Sequence, residues 1–424
     1  MNTVMEAVNW FLGLGGSVFV PIIMFVLCMV FGGGFSKSIR SALYMGIGLT
    51  ALNMVIDLSV TAMSPVTQGL SARLSTDFSV IDVGYGNVSV AWGWPGVLGV
   101  IVGIILINII LVALKLTKTL WVDIWNIWHG EAIAVTVWAF TGSVVIGVAS
   151  GLLLLVVSMK LADYHAKAFQ EFNGFDGISV VASSATFSAT FAMLAMKVIN
   201  KIPGLKDLDA TPEQIKDKFG IFGEMSVIGA LLGVIMGIIA GSSVADILKL
   251  SITLATVLVV LPRMLSIIAE GIIPISTSLT KFMKKKFPGR ELNIAVDPAI
   301  LLGDPSVMSS VILMYPLAIF IAALLPGNNW IPVASLASLP YWIGGMVPYT
   351  KGNVVHTVIV TCLWLVPALL IASNLAPITT EAARLSGLFA DQIAKGTVIT
   401  NWEEGGNILL WIIIKLGSLF GIGA

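Results

Sequence analysis

Residues 297–305 read Asp297-Pro-Ala-Ile-Leu-Leu-Gly-Asp304-Pro305, and an apolar run follows over 306–325. A continuous helix does not accommodate breakers at that spacing, because proline lacks an N–H and its ring collides with the preceding turn. Carboxylates at membrane depth are costly, about 2.5–3.5 kcal/mol each on insertion scales. Irregular backbone at the same depth is tolerated where it lines a wet cavity. The stretch Asp82-Val-Gly-Tyr-Gly-Asn87 has the same grammar, and it too precedes a Gly/Pro-broken segment and an apolar run. Both read as interrupted membrane segments. Their carboxylates either accept hydrogen bonds from neighbouring hydroxyls of a polyol or cap the N-termini of half-helices.

The rest of the chain supplies the membrane. Of its 424 residues, 57% are hydrophobic and 11% charged, with a net charge of zero. A soluble protein carries roughly 25% charged residues, so this chain lacks the polar atoms to cover a water-facing surface. A cytosolic enzyme, a secreted domain and a nucleic-acid binder are excluded together. Cys28 and Cys362 are too far apart to form a metal-ligand motif, and no metal or other cofactor is expected. There is no Walker loop, no Gly-x-Ser-x-Gly elbow and no His-Glu-x-x-His helix. The N-terminus has no basic n-region, and its apolar run over 10–31 is long enough to span, so it does not read as a cleaved signal peptide.

Apolar stretches recur near 10–35, 42–63, 97–114, 122–140, 142–162, 178–198, 220–241, 247–272, 306–325, 331–348, 353–375 and 405–424. They predict an all-α, polytopic bundle of about eleven transmembrane helices, each needing about 20 apolar residues. The basic groups at Lys197–Lys218 and Lys281–Arg290 belong on the cytoplasmic side, which puts the N-terminus outside. That topology closes when 178–198, broken by Ser179, Ser183, Ser184, Ser188 and Thr190, is a re-entrant hairpin rather than a span.

Arg40 and Lys249, Pro65 and Pro274, and Phe140 and Tyr349 are each 209 positions apart. The collinear set predicts two repeats, the second entering the membrane upside down, as in transporters with alternating access. The expected division is a first repeat over 1–165, a hairpin and basic connector over 166–218, an inverted second repeat over 219–377, and a second hairpin with a terminal helix over 378–424.

The candidate binding residues are Asp82, Asn126, His129, Asp176, Ser183, Asp297 and Asp304. Asn126 and His129 belong to Val122-Asp-Ile-Trp-Asn-Ile-Trp-His129, where Val122, Trp125 and His129 share a helical face. His129 can donate or accept; the tryptophans read either as platforms for a sugar's C–H face or as an interfacial belt. Asp176 and Ser183 lie at the mouth of the expected hairpin, where Asp176-Gly177 can equally be a plain turn. Asp123 and Glu131 are also ionisable at membrane depth. Glu224 reads as a carboxylate at a helix N-terminus, stabilised by the helix dipole.

The stretches Val122–His129 (VDIWNIWH), Phe219–Glu224 (FGIFGE), Asp297–Gly303 (DPAILLG), Pro326–Asn328 (PGN) and Ile202–Leu205 (IPGL) resemble the galactitol-type IIC permease of the bacterial phosphoenolpyruvate-dependent phosphotransferase system. The likeness runs in order along nearly the whole chain. It implies a homodimer in the bacterial inner membrane, with a V-shaped dimerising part near 10–63 and 220–272 and a mobile core. It also implies a polyol substrate moved by an elevator mechanism and phosphorylated by a separate IIB protein, itself charged by IIA. The chain reads Val180-Val-Ala-Ser183-Ser184 where galactitol relatives tend to carry Pro-His-Gly.

Two other readings stand beside this one. An ion-coupled secondary transporter would use Asp82 or Asp297 as its coupling carboxylate. A membrane-embedded enzyme would need a catalytic cluster near one interface, whereas the acidic residues here are spread over two repeat-related segments.

Overall fold

In the computed structural model, the residues described are 16–30, 32–74, 78–174, 176–210, 221, 224–286 and 291–422. Four helices among them are long and apolar enough to cross a bilayer: Phe35–Met63, Val144–Asn173, Pro305–Leu324 and Val354–Leu385. A fifth crossing is available to the pair Gly86–Trp92 and Val97–Ala113, which is bent by 86° at its break. That break falls at Gly93-Trp-Pro-Gly96, the Gly/Pro-broken segment that follows the Asp82–Asn87 stretch.

Four helices form a unit of their own. Gly16–Val30, Phe35–Leu74, Met225–Ala240 and Val244–Lys286 pack chiefly on one another, and two of them run to 40 and 43 residues. Gly229, Gly233 and Gly237 recur every fourth residue on one face of Met225–Ala240. A Cβ at Gly233 would fall 2.4 Å from Ser251 Cα, and one at Gly229 would fall 2.6 Å from Ala255 Cα. Small residues in that spacing let two backbones touch, which is how helices associate where the hydrophobic effect gives no drive.

Among the described residues, five short strands interrupt the expected all-helical architecture. They are β1 (Val80–Asp82), β2 (Thr119–Leu120), β3 (Ile178–Val180), β4 (Asn293–Val296) and β5 (Val398–Thr400). β1 runs parallel to β5, with Val80 opposite Val398 and Asp82 opposite Thr400, and Val80 also bridges Trp330. β4 lies between β2 and β3, parallel to both. A buried backbone must place its N–H and C=O groups somewhere, and these pairings satisfy the unwound stretches.

The order of elements recurs along the chain. A long helix (Phe35–Leu74, Val244–Lys286) leads to a strand, an interrupted segment, a 3₁₀ turn (Trp125–Ile127, Ser335–Ser338) and a short helix (Trp128–Thr141, Leu339–Thr350). A second long helix (Val144–Asn173, Val354–Leu385), a strand and a final helix (Ser183–Ile199, Ile408–Leu419) complete each series. Each opening strand pairs in the other series: β1 with β5 and Trp330, β4 with β3 and β2.

Three apolar runs differ from simple spans. Trp128–Thr141 has 14 residues, and Leu339–Thr350 and Ile408–Leu419 have 12 each. At about 1.5 Å per residue these are half-length against a hydrocarbon core of about 30 Å. The entries to Trp128–Thr141 and Ile408–Leu419 are shaped by polar side chains. Asp123 Oδ1 accepts from Asn126 N at 3.2 Å, and Asn407 Oδ1 caps Leu409 N at 2.9 Å. The serine-broken stretch 178–198 is β3 followed by one 17-residue helix, not two helical arms.

Candidate functional site

Where the short helix Trp128–Thr141 begins, its first residues meet the interrupted segment after β4 and the loop after β5. A cavity of about 170 Å³ lies between them. Its polar lining comes from Asn126, His129, Ser184, Asp297 and Glu403, with Ser266 of the long helix Val244–Lys286, and its flat walls from Tyr85, Trp125, Trp128 and Tyr341. A water molecule's share of liquid is about 30 Å³, and pockets for drug-sized ligands measure about 300–1,000 Å³. The space therefore suits a solute of sugar size.

Asp297 is placed by its neighbours in sequence. It precedes Pro298 and caps the 3₁₀ turn Pro298–Gly303, Oδ1 accepting from Ala299 N at 2.8 Å. Its Oδ2 accepts from Asn126 Nδ2 at 2.9 Å, and the same amide donates to Asp123 Oδ2 at 2.6 Å. Both amide hydrogens of Asn126 are thus spent on carboxylates, so its remaining offer to a solute is the acceptor Oδ1.

His129 is fixed from behind. Its Nδ1 lies 2.5 Å from Glu404 Oε1, which also accepts from Ser183 Oγ at 2.8 Å. Asn407 Nδ2 donates to Glu404 Oε2 at 3.0 Å. With Nδ1 committed to Glu404, Nε2 is the ring nitrogen left for a solute. The imidazole stacks on Trp128 with ring centres 4.1 Å apart. Beside it, Glu403 is buried, and its Oε2 has no hydrogen-bond partner among the described residues. A buried acceptor left unmade costs about 1–3 kcal/mol.

Of the sequence-predicted residues, Asn126, His129 and Asp297 line this cavity, and Ser183 stands one bond behind it. Three others lie elsewhere. Asp82 takes Gly84 N at 2.9 Å, Ser335 N at 2.7 Å and Ser335 Oγ at 2.6 Å, and it is absent from the lining. Asp82 and Asp297, read from sequence as sharing one pocket, therefore do not line this cavity together: Asp82 closes a joint between the two series of elements. Asp304 caps the helix Pro305–Leu324 through Ser306 N at 2.8 Å, the structural alternative considered for it. Asp176 is exposed in the turn before β3. Glu131 is sealed in the core, Oε2 taking Trp94 Nε1 at 2.8 Å. Glu224 is exposed at the N-cap of Met225–Ala240.

Glu403, Glu404, Ser184 and Tyr341 were missed. In Asn401-Trp-Glu-Glu-Gly-Gly-Asn407 the two glutamates read as a polar loop ahead of the last apolar run. Only the structure shows their place: in each series a strand and two residues precede a polar pair, Ser183-Ser184 in one and Glu403-Glu404 in the other. Among the described residues, no group of three His, Cys, Asp or Glu side chains could hold a metal ion.

Carboxylates, an imidazole and aromatic walls surround a small cavity inside a bundle of apolar and broken helices, the architecture of a polytopic membrane protein. Residues 10–392 match the family described as the PTS system sugar-specific permease component, EIIC-GAT. A permease IIC component of Escherichia coli (strain K12) is 34% identical over 98% of this chain and 94% of its own length. The galactitol-specific EIIC component of the phosphotransferase system in the same strain is 30% identical over 97% of this chain and 91% of its own. This chain belongs to the sugar-specific IIC permease family of the phosphotransferase system. It is an integral inner-membrane transporter subunit and not an enzyme; the phosphoryl transfer falls to the IIB partner.

Proposed function

We propose that the chain translocates a sugar alcohol of the galactitol type, binding it in the cavity formed by Asn126, His129, Ser184, Asp297 and Glu403. The observation that carries the proposal is the pairing in one enclosed space of unspent acceptors with aromatic walls. Neighbouring hydroxyls donate to Asp297, Glu403 and the free His129 Nε2, while the C–H faces lie on Trp128, Tyr85 or Tyr341. The galactitol-specific relative, similar along nearly its full length, supports the substrate class.

In this reading the two series of elements are inverted repeats with about eleven crossings, the half-length helices counted in. The unit of Gly16–Val30, Phe35–Leu74, Met225–Ala240 and Val244–Lys286 is the V-shaped dimerising part. The remainder is a core that carries the sugar past it in a homodimer, with β3 and β5 leading into re-entrant arms. IIB phosphorylates the sugar at the inner side, and the product's charge prevents its return.

A binding screen of hexitols, pentitols and ascorbate against purified protein tests the site, because a ligand stabilises by an amount set by its concentration over Kd. A hexitol or pentitol that stabilises the wild type but not Asp297→Asn is expected; equal stabilisation of both removes Asp297 from the site. Uptake that persists in cells lacking the general phosphotransfer proteins and collapses with a protonophore would overturn the phosphotransferase reading in favour of an ion-coupled carrier.

A further inference from the structure

Away from the sugar cavity, four cations face one carboxylate among the described residues of a groove. It has a volume of about 610 Å³ and lies between Gly32–Gly33, the start of Phe35–Leu74 and the end of Val244–Lys286. Lys37, Arg40, Lys281 and Lys285 line it against a single carboxylate, Glu270. All four are exposed, and none joins an ion pair among the described residues. Arg40 lies over the Tyr44 ring at 5.2 Å.

The placement of the cations separates two roles. Lys281 and Lys285 sit in the last turns of their helix, where positive charge offsets the negative end of the dipole. Lys37 sits in the first turn of a 40-residue helix, at the positive end where cations are disfavoured, and Arg40 follows in the second turn, where the dipole gives it no support. Helix stability does not explain them; an anion in the groove does. The same groove is lined by Ile273 and Phe282, 59% and 42% exposed. Phe35 and Ile39, on the same turns as Lys37 and Arg40, line an adjoining apolar groove of about 800 Å³. A charged head with hydrocarbon attached fits this neighbourhood better than an acidic protein surface.

We infer that the groove binds the phosphate head group of an anionic phospholipid from the leaflet where the lysine-rich end lies. Basic pockets between membrane helices on the cytoplasmic side take such head groups, each Lys or Arg adding an increment. The site is independent of the sugar cavity and of its reading.

The test titrates purified protein in neutral detergent with cardiolipin, phosphatidylcholine or inorganic pyrophosphate, reading the unfolding temperature and lipid retention by native mass spectrometry. Cardiolipin should bind saturably and the other two should not. Lys281→Gln should weaken cardiolipin binding about fivefold, and Lys281→Gln with Lys285→Gln about 25-fold. Arg40→Gln gives an independent loss if the double variant does not fold, and Lys167→Gln, an exposed lysine on Val144–Asn173, should change nothing. Equal binding of phosphatidylcholine, equally tight pyrophosphate without acyl chains, or unchanged cardiolipin affinity in the variants would each overturn the inference. So would variants that keep cardiolipin but lose retention of the IIB protein, which would assign the groove to an acidic protein partner.

Discussion

Asp82 and Asp297 hold matching places after the first strand of each series, yet their partners differ. Asp82 gives its oxygens to three protein donors, whereas Asp297 takes one backbone N–H and one amide and still borders the cavity. Asp297→Asn should therefore weaken sugar binding at least tenfold, as expected for loss of a charged hydrogen bond, with thermal unfolding near wild type. Asp82→Asn should do the reverse, costing about 2–3 kcal/mol of stability while leaving the affinity of folded protein unchanged. Calorimetry and scanning fluorimetry on the two variants separate these outcomes. His129→Ala should lower affinity more than Trp121→Phe, because Trp121 lies outside the cavity with Nε1 on the Asp123 carbonyl at 2.8 Å. Glu404→Gln should lower it too, because the amide replaces the carboxylate that holds Nδ1; an unchanged affinity would free Glu404 from that role. Asp297, Asn126 and His129 were legible because a polar side chain inside an apolar run declares its own cost. Glu403 and Glu404 were not, because a charged pair beside two glycines looks like an aqueous loop until the strand before it is known to be buried.

Gly229, Gly233 and Gly237 set the distance between Met225–Ala240 and Val244–Lys286. Gly233→Leu should force those helices apart, since even a Cβ would meet Ser251 backbone atoms at 2.4 and 2.6 Å. The expected result is loss of the monodisperse peak in detergent chromatography, whereas a leucine at Gly142, whose Cβ would meet nothing within 4 Å, keeps the peak with only the strain of its positive φ. At this scale hydropathy located the apolar elements but not their lengths. The run over 122–140 is continuous in composition, yet Asp123 holds its first residues in a turn and the helix starts at Trp128. Hydropathy averages over a window, and a single side chain capping a backbone N–H leaves no mark on the average. The strands were invisible for a related reason: two- to four-residue strands buried on all sides show no alternation to read.

For the molecule as a whole, each series completes its partner. β1 finds its neighbours in the second series and β4 finds its own in the first, so neither half holds a finished sheet or a finished cavity. Residues 1–218 and 219–424 expressed as separate chains should each fail to bind sugar, and together they should co-purify and bind it. A half that binds alone would show that the crossing strands are dispensable. The 209-residue echo is a pattern of the sequence alone, and the exchange of strands was not legible there, because pairing between distant segments leaves no local pattern. The exchange also imposes a wait. Val80 reaches Val398 only after more than 300 further residues have been made, about 15–60 s at ordinary synthesis rates of about 5–20 residues per second. Through that interval an early hydrogen-bonding edge stands open in the bilayer, and a ribosome that stops a few dozen codons short leaves it so, with the glutamates of the site never translated. Late nonsense mutations should then behave as null alleles, and the nascent chain should depend on an insertase or chaperone to shelter that edge.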